Sequence, residues 1–275
     1  MTSLVPRPRA LTIAGSDSGG GAGIQADLKT FSALGVFGMT SVTAVTVQNT
    51  RGVESFEAIS PATVGAQIRA VATDIGVDAA KTGMLANAEI VASVADAIEE
   101  TGIRNLVVDP VFVSKHGHLL LAEDAVEVLR SRLLPLAALV TPNLPEAAGL
   151  AGIAVGSRTD MLRAAEAILG LGAGAVLVKG GHLEGEREAT DLFADGDCEE
   201  WIVAERIDTP NTHGTGCTLS AAIAAQLAMG DGLLEAVRAG KDFVTEAIRH
   251  ALAIGQGIGP VDQLWSVPPG DKRAT

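Results

Sequence analysis

Short apolar runs alternate along the chain with longer segments in which apolar residues recur about every 3.6 positions. The runs have the length and composition of buried strands; they are Leu11–Ala14, Val42–Val47, Asp78–Lys81, Leu106–Val108, Leu139–Val140 and Ala175–Val178. The helical spacing is found at Val64, Ile68, Val71 and Ile75, at Ile90, Val94 and Ile98, and at Met161, Ala165, Ile168 and Leu169. This repetition of strand and helix predicts βαβ units and a mostly parallel sheet.

Two regions depart from the alternation, Gly52–Ser60 and Asp191–Ile207, and both have the pattern of additional strands. The second is predicted to be a hairpin that turns at Ala194–Asp197. Two helices are predicted to follow it. Thr215–Met229 consists almost entirely of small and apolar residues, and Leu233–Leu252 carries its apolar residues on one face.

The chain has 275 residues, a length that one large α/β domain can account for, and no linker or repeat divides it. We therefore predict a single domain over 1–275 with frayed ends at 1–9 and at about 266–275. Apolar residues make up 47% of the chain and charged residues 19%, a balance that supplies a full core and disfavours extensive disorder.

Charge and composition restrict the partners. The 33 acidic and 20 basic residues leave a net charge of −13 without a long basic run, which disfavours nucleic acid and anionic membranes as partners. No run of about 18 apolar residues predicts a membrane span. The two cysteines, Cys198 and Cys217, cannot form a disulfide framework, which favours a reducing compartment. A cytoplasmic protein that acts on small molecules is predicted.

Polar residues directly follow the predicted strands, and in an open parallel sheet ligands bind beyond the carboxyl ends of the strands. These strand-end segments are Gly15-Ser16-Asp17, Gln48-Asn49, Thr82-Gly83-Met84, Asp109, Thr141-Pro142-Asn143 and Lys179-Gly180-Gly181. One edge of the sheet is therefore predicted to carry the site.

The glycine-rich loop Gly15–Gly23 opens a predicted helix, and bare amides at a helix start suit an anion or a flat ligand. The G-x-G-x-x-A spacing of Gly21–Ala26 matches a dinucleotide-binding pattern, but Ser41–Val47 lacks the acidic residue that this pattern requires. Lys29-Thr30 lacks the preceding glycine of a Walker A motif. Neither standard phosphate loop is present, and a purely structural turn is the alternative.

The strongest local signal is Asn211–Cys217, directly before the helix of small residues. Two glycines leave the amides of residues 214 to 217 free to point at one spot, where the helix dipole adds positive charge. We predict an anion hole there and expect the dipole to lower the pKa of the Cys217 thiol. The alternative is that Cys217 is a small buried apolar residue.

Motifs along nearly the whole chain, from Ala10 to about Val261, resemble one family. They are Ala10–Phe31, Gln48–Gly52, Lys81–Leu85, Thr141–Glu146, Lys179–His182 and Asn211–Cys217. Together they resemble the hydroxymethylpyrimidine kinase/phosphomethylpyrimidine kinase of thiamine biosynthesis, in the ribokinase-like superfamily. The resemblance implies a three-layer α/β sandwich with helices on both faces of the sheet. It also implies ATP-dependent phosphorylation of 4-amino-5-hydroxymethyl-2-methylpyrimidine and then of its monophosphate.

The resemblance further implies catalytic roles at the start of the small-residue helix. Cys217 would be the base that takes the proton of the substrate hydroxymethyl group. The amides around Gly214, Thr215 and Gly216 would neutralise charge on the transferred phosphoryl group.

Nucleotide and metal roles are implied for the other strand ends. Asp109 and Glu146 would hold Mg²⁺ through oxygen ligands, and Lys179, Asn143, Thr212 and His213 would bind the nucleotide phosphates. Asn143 and Glu146 also fit a simple helix cap, and Lys179 also fits a solvated lysine at a strand end.

At the substrate end, the resemblance implies that Gln48 and Asp27 bind the pyrimidine and that Gly15, Met84 and Val111 line its pocket. The alternatives are that Gln48 caps its strand and that Asp27 is a solvated helix residue. Two departures from the family pattern are Gly19, where serine is common, and Ser114–His118. In the latter segment, His116 and His118 are weak evidence for a metal.

Two other functions are open, a pyridoxal kinase of the same superfamily and a catalytically silent nucleotide-binding sensor. Gln48 favours the pyrimidine substrate over pyridoxal. The joint presence of five residues opposes the sensor: Cys217, Asp109, Asn143, Glu146 and Lys179. The resemblance also implies a homodimer, for which the apolar side near Trp201–Val203 is a candidate interface.

Overall fold

The computed structural model describes residues 7–112, 120–181, 183 and 187–268. Its strands are β1 Arg9–Ser16, β2 Phe37–Asn49, β3 Gly52–Ala58, β4 Ala79–Thr82, β5 Leu106–Val108, β6 Leu139–Val140, β7 Val176–Lys179, β8 Glu188–Ala194 and β9 Glu199–Glu205. Within the described residues they form one nine-stranded sheet in the order β3-β2-β1-β4-β5-β6-β7-β8-β9. From β2 to β7 neighbouring strands are parallel, whereas β3, β8 and β9 pair antiparallel at the edges. The prediction of a mostly parallel α/β sheet is confirmed.

The helices are α1 Gly23–Ala33, α2 Pro61–Asp74, α3 Ala88–Thr101, α4 Glu123–Val128, α5 Leu144–Ala151, α6 Arg158–Leu169, α7 Thr215–Met229 and α8 Leu233–Arg249. Successive residues of a strand face opposite sides of the sheet and meet different helices. Leu11 and Val108 belong to the core covered by α2 to α6, whereas Ala10 and Val107 belong to the core under α1, α7 and α8. This is the three-layer sandwich that the resemblance implied.

Helix α7 is central to the second layer and is apolar on all sides, which is the pattern of a buried helix. Ala221, Ala222, Ala224 and Ala225 are fully buried, and the helix packs against α1 and α8 as well as over β1, β4 and β5. Gly240 of α8 allows the close approach, since a Cβ there would lie 2.6 Å from Cγ1 of Ile223. The small residues thus let α7 lie deep in the molecule with its first turn at the cavity described below.

The structure describes contacts at the borders of the segments predicted to be frayed. Arg9 is the first residue of β1, and its backbone and guanidinium both donate to Asp78. At the other end, Trp265 stacks on His250, and the Val267 amide donates to the Leu264 carbonyl. Residues 1–6 and 269–275 lie outside the described residues.

Other boundaries shift by a few residues. Helix α8 ends at Arg249 instead of Leu252, whose side chain is exposed beyond the apolar face. The hairpin of β8 and β9 turns at Asp195–Cys198, one residue later than expected, where the Asp195 side chain accepts from the amides of Asp197 and Cys198. Among the described residues, no helix combines the length and apolar character needed to cross a bilayer.

Candidate active site

A cavity of about 1370 Å³ lies at the carboxyl ends of the parallel strands. Most of the residues predicted for the site line it: Gly15, Gln48, Met84, Asp109, Val111, Asn143, Glu146, Lys179, Thr212, His213, Gly214, Thr215, Gly216 and Cys217. Asp27 is the exception. The thiol at the start of α7, Asp109 and Gln48 therefore share one cavity, as the placement of polar residues at strand ends predicts.

The first turn of α7 has the backbone geometry of an anion site. Gly214 has a φ of +83°, and a Cβ on it would collide with the carbonyl oxygen of Gly21. The Thr215 amide donates to the Thr212 carbonyl at 3.4 Å, so it is partly used within the loop. The amides of Gly216 and Cys217 have no backbone acceptor among the described residues, and together with the helix dipole they provide positive charge.

Lys179 and Asp109 face this helix terminus. The Lys179 ammonium donates to Oδ1 of Asp109 at 2.8 Å and lies 4.0 Å from Oε2 of Glu146. A Cβ on Gly216 would lie 3.6 Å from both the Lys179 ammonium and Oδ2 of Asp109. The unoccupied amides and the charged cluster are thus adjacent, which is the arrangement that a phosphoryl group in transfer requires.

The Lys179 side chain is 17% exposed and ion-paired, so the alternative of a solvated strand-end lysine is wrong. Burial by itself would lower the pKa of Lys179, but Asp109 and Glu146 raise it to about 12. Burial would raise the pKa of Asp109, but Lys179 and Lys81 outweigh burial and hold it below its ordinary value. Asp109 is therefore a carboxylate and Lys179 a cation at neutral pH.

Glu146 and Asn143 form the helix cap that their spacing predicts. Oδ1 of Asn143 accepts from the Glu146 amide at 2.9 Å, and Oε2 of Glu146 accepts from the Asn143 amide at 2.8 Å. Both side chains also line the cavity, so the cap holds them there. Burial raises the pKa of Glu146 to about 7, against the opposing effect of Lys179.

The thiol of Cys217 differs from the expectation. Burial raises its pKa to about 11, although Lys81 acts in the opposite direction. The carboxylates of Asp27 and Asp109 also raise it, and the thiol is protonated at neutral pH. The prediction of an accessible thiolate is wrong for the protein without ligands.

Asp27 is fully buried beneath the cavity. Its carboxylate accepts from Oγ1 of Thr12 at 2.6 Å and pairs with the Lys81 ammonium at 3.2 Å, and both charged side chains are 0% exposed. The alternative of a solvated helix residue is therefore wrong, and a direct contact with the pyrimidine finds no support in this position. Lys81 could have been found from sequence, because a lysine inside a central strand needs a buried counterion.

The amides of the glycine-rich loop are already occupied. The Asp17 carboxylate accepts from the amides of Gly19 at 2.8 Å, Gly21 at 3.0 Å and Ala22 at 2.8 Å. It also binds Nε2 of His213 at 2.9 Å. The Asp17 carboxylate thus binds the loop amides that the sequence suggested as a site for an external anion. This part of the loop forms the structural turn that was the alternative.

Residues predicted for the pyrimidine form the neighbouring part of the cavity. A Cβ on Gly15 would lie 3.1 Å from the Met84 sulfur, so glycine at this position lets Met84 pack against the strand end. The Gln48 carboxamide lies between Oγ1 of Thr46, which donates to its oxygen at 3.2 Å, and His213, whose Nε2 is 3.4 Å from its nitrogen. This pocket combines an apolar wall with a group that can donate and accept.

A second buried ion pair at the cavity was missed by sequence reasoning. The Lys241 ammonium of α8 donates to Oδ2 of Asp191 at 2.7 Å, and Oδ1 of Asp191 accepts from the Gly180 amide at 2.9 Å. Apolar side chains of α7 and α8, Leu219, Val244 and Ile248, line the same end of the cavity. Since Gly180 directly follows Lys179, the pair fixes the backbone beside the charged cluster.

Some predicted features lie outside the described residues, namely His182 and the segment 114–118 with His116 and His118. Among the residues that the structure does describe, no group of three or more His, Cys, Asp and Glu side chains has the arrangement of a metal site.

Comparison with known proteins gives a consistent result. The sequence model of the family described as phosphomethylpyrimidine kinase matches residues 17–262. A hydroxymethylpyrimidine/phosphomethylpyrimidine kinase of Rhizobium meliloti is 58% identical over 255 residues, which cover 92% of this chain and 95% of that protein. Among solved structures, a phosphomethylpyrimidine kinase of Clostridium difficile is 45% identical with a TM-score of 0.78, covering 88% of this chain and 100% of that one. An ADP complex of Bacillus subtilis pyridoxal kinase is 43% identical with a TM-score of 0.88, covering 94% and 98%.

Proposed function

The chain belongs to the phosphomethylpyrimidine kinase family, and on that premise we propose that it transfers phosphoryl groups from ATP in thiamine biosynthesis. The first acceptor is the hydroxymethyl group of 4-amino-5-hydroxymethyl-2-methylpyrimidine, and the second is the resulting monophosphate. The observation that carries the proposal is the placement of Cys217 and the unoccupied amides of α7 in one cavity with Asp109 and Lys179.

The charged cluster accounts for the nucleotide end of the site. A γ-phosphoryl group placed between Lys179 and the first turn of α7 meets an ammonium group and the amides of Gly216 and Cys217. These donors are held before the substrate arrives, so they stabilise charge on the transferred group without reorganisation. ATP as the phosphoryl donor agrees with the ADP complex of the Bacillus subtilis relative.

Mg²⁺ is part of the proposal, with Asp109 and Glu146 as the residues that hold it. The donor set fits, because two buried carboxylates share one lysine and Oδ2 of Asp109 accepts only a long hydrogen bond of 3.5 Å, from Ser220, among the described residues. Hard oxygen ligands of this kind suit Mg²⁺, with water and phosphate oxygens completing the coordination. When bound, the cation would neutralise phosphate charge beside Lys179.

The proton of the hydroxymethyl group leaves as its oxygen forms the bond to phosphorus. Asp109 and Glu146 share Lys179, Asp17 binds His213, and Asp191 binds Lys241. Among the described residues this leaves the half-buried Cys217 thiol as a titratable group of the cavity that is not in an ion pair. We assign it the role of proton acceptor, which requires that ligand binding lower its pKa from about 11.

The test is release of ADP in a coupled assay with the pyrimidine alcohol, its monophosphate and pyridoxal as separate acceptors. Pyridoxal is included because the Bacillus subtilis relative is a pyridoxal kinase. We expect turnover with both pyrimidines and a kcat/KM for pyridoxal that is at least about tenfold lower. Turnover with pyridoxal alone would refute the proposed substrate, and turnover with none would refute a kinase of these vitamins' precursors.

The role of Cys217 is tested by Cys217→Ala, with Cys198→Ala as the matched control because Cys198 is exposed in the β8–β9 turn. We expect the first variant to lose about 10²–10⁴-fold in kcat with little change in nucleotide affinity, and the second to be unaffected. Near-normal turnover by Cys217→Ala would remove the cysteine from the reaction.

We further propose a homodimer in the cytoplasm. At the interface suggested by sequence, Val203 is exposed but Ile202 is buried within the chain. Val45 and Val47, on one face of β2 near the opposite edge of the sheet, are exposed apolar residues and form the second candidate surface. Light scattering of the native protein gives its oligomeric state. The same measurement on Val47→Asp and Val203→Asp variants shows which of the two surfaces forms the dimer interface.

A further inference from the structure

Asp17 and His213 form a buried pair that joins two loops of the cavity, and the proposed reaction has not yet used it. Asp17 lies in the glycine-rich loop after β1, and His213 directly precedes Gly214 at the start of α7. Both residues are less than 10% exposed, and both line the cavity. The distance from Nε2 of His213 to Oδ2 of Asp17 is 2.9 Å.

The Asp17 carboxylate has hydrogen-bond donors at both of its oxygens. The carboxylate accepts from three loop amides as well as from the imidazole, so Nε2 of His213 carries a proton that it donates. Burial would raise the pKa of Asp17, but His213 and the amides lower it, which keeps the carboxylate charged. The loop from Gly19 to Ala22 is therefore folded around the Asp17 carboxylate, which the His213 imidazole also contacts.

The backbone of His213 is fixed independently of its ring. Its amide donates to the Gly259 carbonyl at 3.1 Å, and its carbonyl accepts from the Val261 amide at 3.0 Å. Gln263, two residues further on, donates from Nε2 to the Gly21 carbonyl and to Oγ1 of Thr218, both at 3.2 Å. The segment 259–263 thus contacts both loops and holds the His213 backbone independently of the contact with Asp17.

Gln48 completes the connection to the substrate pocket. Its side-chain nitrogen is 3.4 Å from Nε2 of His213; because both atoms carry protons, this is a packing contact and not a hydrogen bond, and the imidazole limits the carboxamide on that side by its bulk. The carboxamide oxygen accepts from Oγ1 of Thr46 on the other side. Its backbone is tied to the same glycine-rich loop, because the Gln48 amide donates to Oγ of Ser18 at 2.8 Å and the Ser18 hydroxyl donates to the Gln48 carbonyl at 2.7 Å. The carboxamide is therefore confined between the threonine and the imidazole.

We propose that Asp17 and His213 are positioning residues for the pyrimidine, which set the Gln48 carboxamide and hold it in register with the first turn of α7. The inference rests on the proposed function. It moves His213 from the nucleotide side, where the sequence had placed it, to the acceptor side. The contacts of the ring support this side, since it lies against Asp17 and Gln48, whereas Lys179, Asp109 and Glu146 form a separate cluster.

The variants are His213→Ala, His213→Gln and Asp17→Asn, with His250→Ala as the matched control because His250 is 49% exposed at the end of α8. Glutamine places a nitrogen close to the position of Nε2 and can still donate to Asp17. Initial rates are measured with ATP and the pyrimidine alcohol varied separately, and thermal unfolding is recorded for each protein.

For His213→Ala and Asp17→Asn we expect the pyrimidine KM to rise about tenfold or more, while the ATP KM changes less than about twofold. His213→Gln should recover most of the loss, and His250→Ala should match the wild type. The His213→Ala effect should shrink in a Gln48→Ala background, because both changes release the same carboxamide. If His213→Ala does not fold, His213→Asn takes its place, since its shorter side chain cannot reach the position of Nε2.

A rise in the ATP KM with an unchanged pyrimidine KM would overturn the inference and return His213 to the nucleotide side. Loss of thermal stability with both KM values unchanged would show a purely structural pair and would also overturn it. Equal defects in His213→Gln and His213→Ala would exclude the Nε2 contact as the cause. If the wild type turned over neither pyrimidine, the proposed function would fail, and the inference would fail with it. If the wild type turns over both pyrimidines normally, a contrary result in the variants refutes the inference alone.

Discussion

Replacing Gly214 by alanine tests whether the close contact between two loops builds the anion site. The residue has a φ of +83°, which disfavours any L side chain by about 1–2 kcal/mol. Its Cβ would also coincide with the carbonyl oxygen of Gly21 and lie 3.5 Å from Cα of Ala22. Relief of this overlap requires the glycine-rich loop or the first turn of α7 to move.

Gly230 is a control within the same helix. It is the C-terminal cap of α7 with a φ of +98°, and a Cβ on it would meet nothing within 4 Å among the described residues. Gly230→Ala therefore carries the conformational cost alone, and for a chain of this size each 1 kcal/mol lowers Tm by about 2–4 °C. Gly214→Ala carries the same cost and a further ~1–3 kcal/mol for overpacking.

The assay combines thermal or urea unfolding with kcat for ADP release. We expect Gly230→Ala to keep its kcat and Gly214→Ala to lose about 10²–10³-fold, the effect of displacing a donor from an anion hole. Equal losses of stability in the two variants, together with normal kcat for Gly214→Ala, would refute the argument that the contact with Gly21 sets the position of the amides.

Three further outcomes are expected. Alkylation of Cys217 by iodoacetamide in a Cys198→Ala background should be slow at neutral pH, and its rate should rise about tenfold per pH unit toward the pKa of about 11, because only the thiolate reacts. A rate that reaches a plateau near pH 7 would contradict the argument that burial raises the pKa of this thiol. Lys81→Met should destabilise by about 3–5 kcal/mol in urea unfolding, since Asp27, whose pKa burial raises, must then take up a proton or remain an unpaired charge in the core. Adding Asp27→Asn should restore part of this, and a loss under about 1 kcal/mol would show that the pair is not desolvated. Lys241→Met should raise the ATP KM more than the pyrimidine KM, because Asp191 then no longer fixes the peptide after Lys179. Arg238→Ala on the exposed face of α8 should change neither KM, and equal kinetics in the two variants would exclude a role of Lys241 in positioning Lys179.

Much of the fold could be predicted because its elements have local signals. The bounds of β5, β6 and α7 agree with the prediction, since a buried strand is a short apolar run and α7 is a continuous stretch of small residues between turn signals. β2 begins at Phe37 instead of Val42, because the residues added at its start pair with β1 and gain their order from that neighbour. Such pairing has no signal in the strand itself.

The clustering of the site was also predictable. Parallel strands bring their carboxyl ends to one edge, so side chains that follow separate strands were expected to meet, and Gln48, Asp109 and Lys179 do so in the cavity. The spacing of Asn143 and Glu146 predicted their cap, because a cap needs only residues close in sequence.

By itself the sequence determined the parallel sheet, the edge that carries the cavity and the glycines that shape its loops, since each depends on neighbours in the chain or on the period of a strand or helix. Tertiary structure decided the state of the groups in the cavity. Asp17 and His213 are 196 residues apart in sequence, and Asp27 and Lys81 are 54 apart. Whether a loop amide is vacant, a carboxylate is paired or a thiol is ionised depends on which distant side chains arrive and how much water they exclude. For Cys217 the position at a helix start is local and predictable, but the desolvation and the carboxylates that raise its pKa surround it only once the layers have packed.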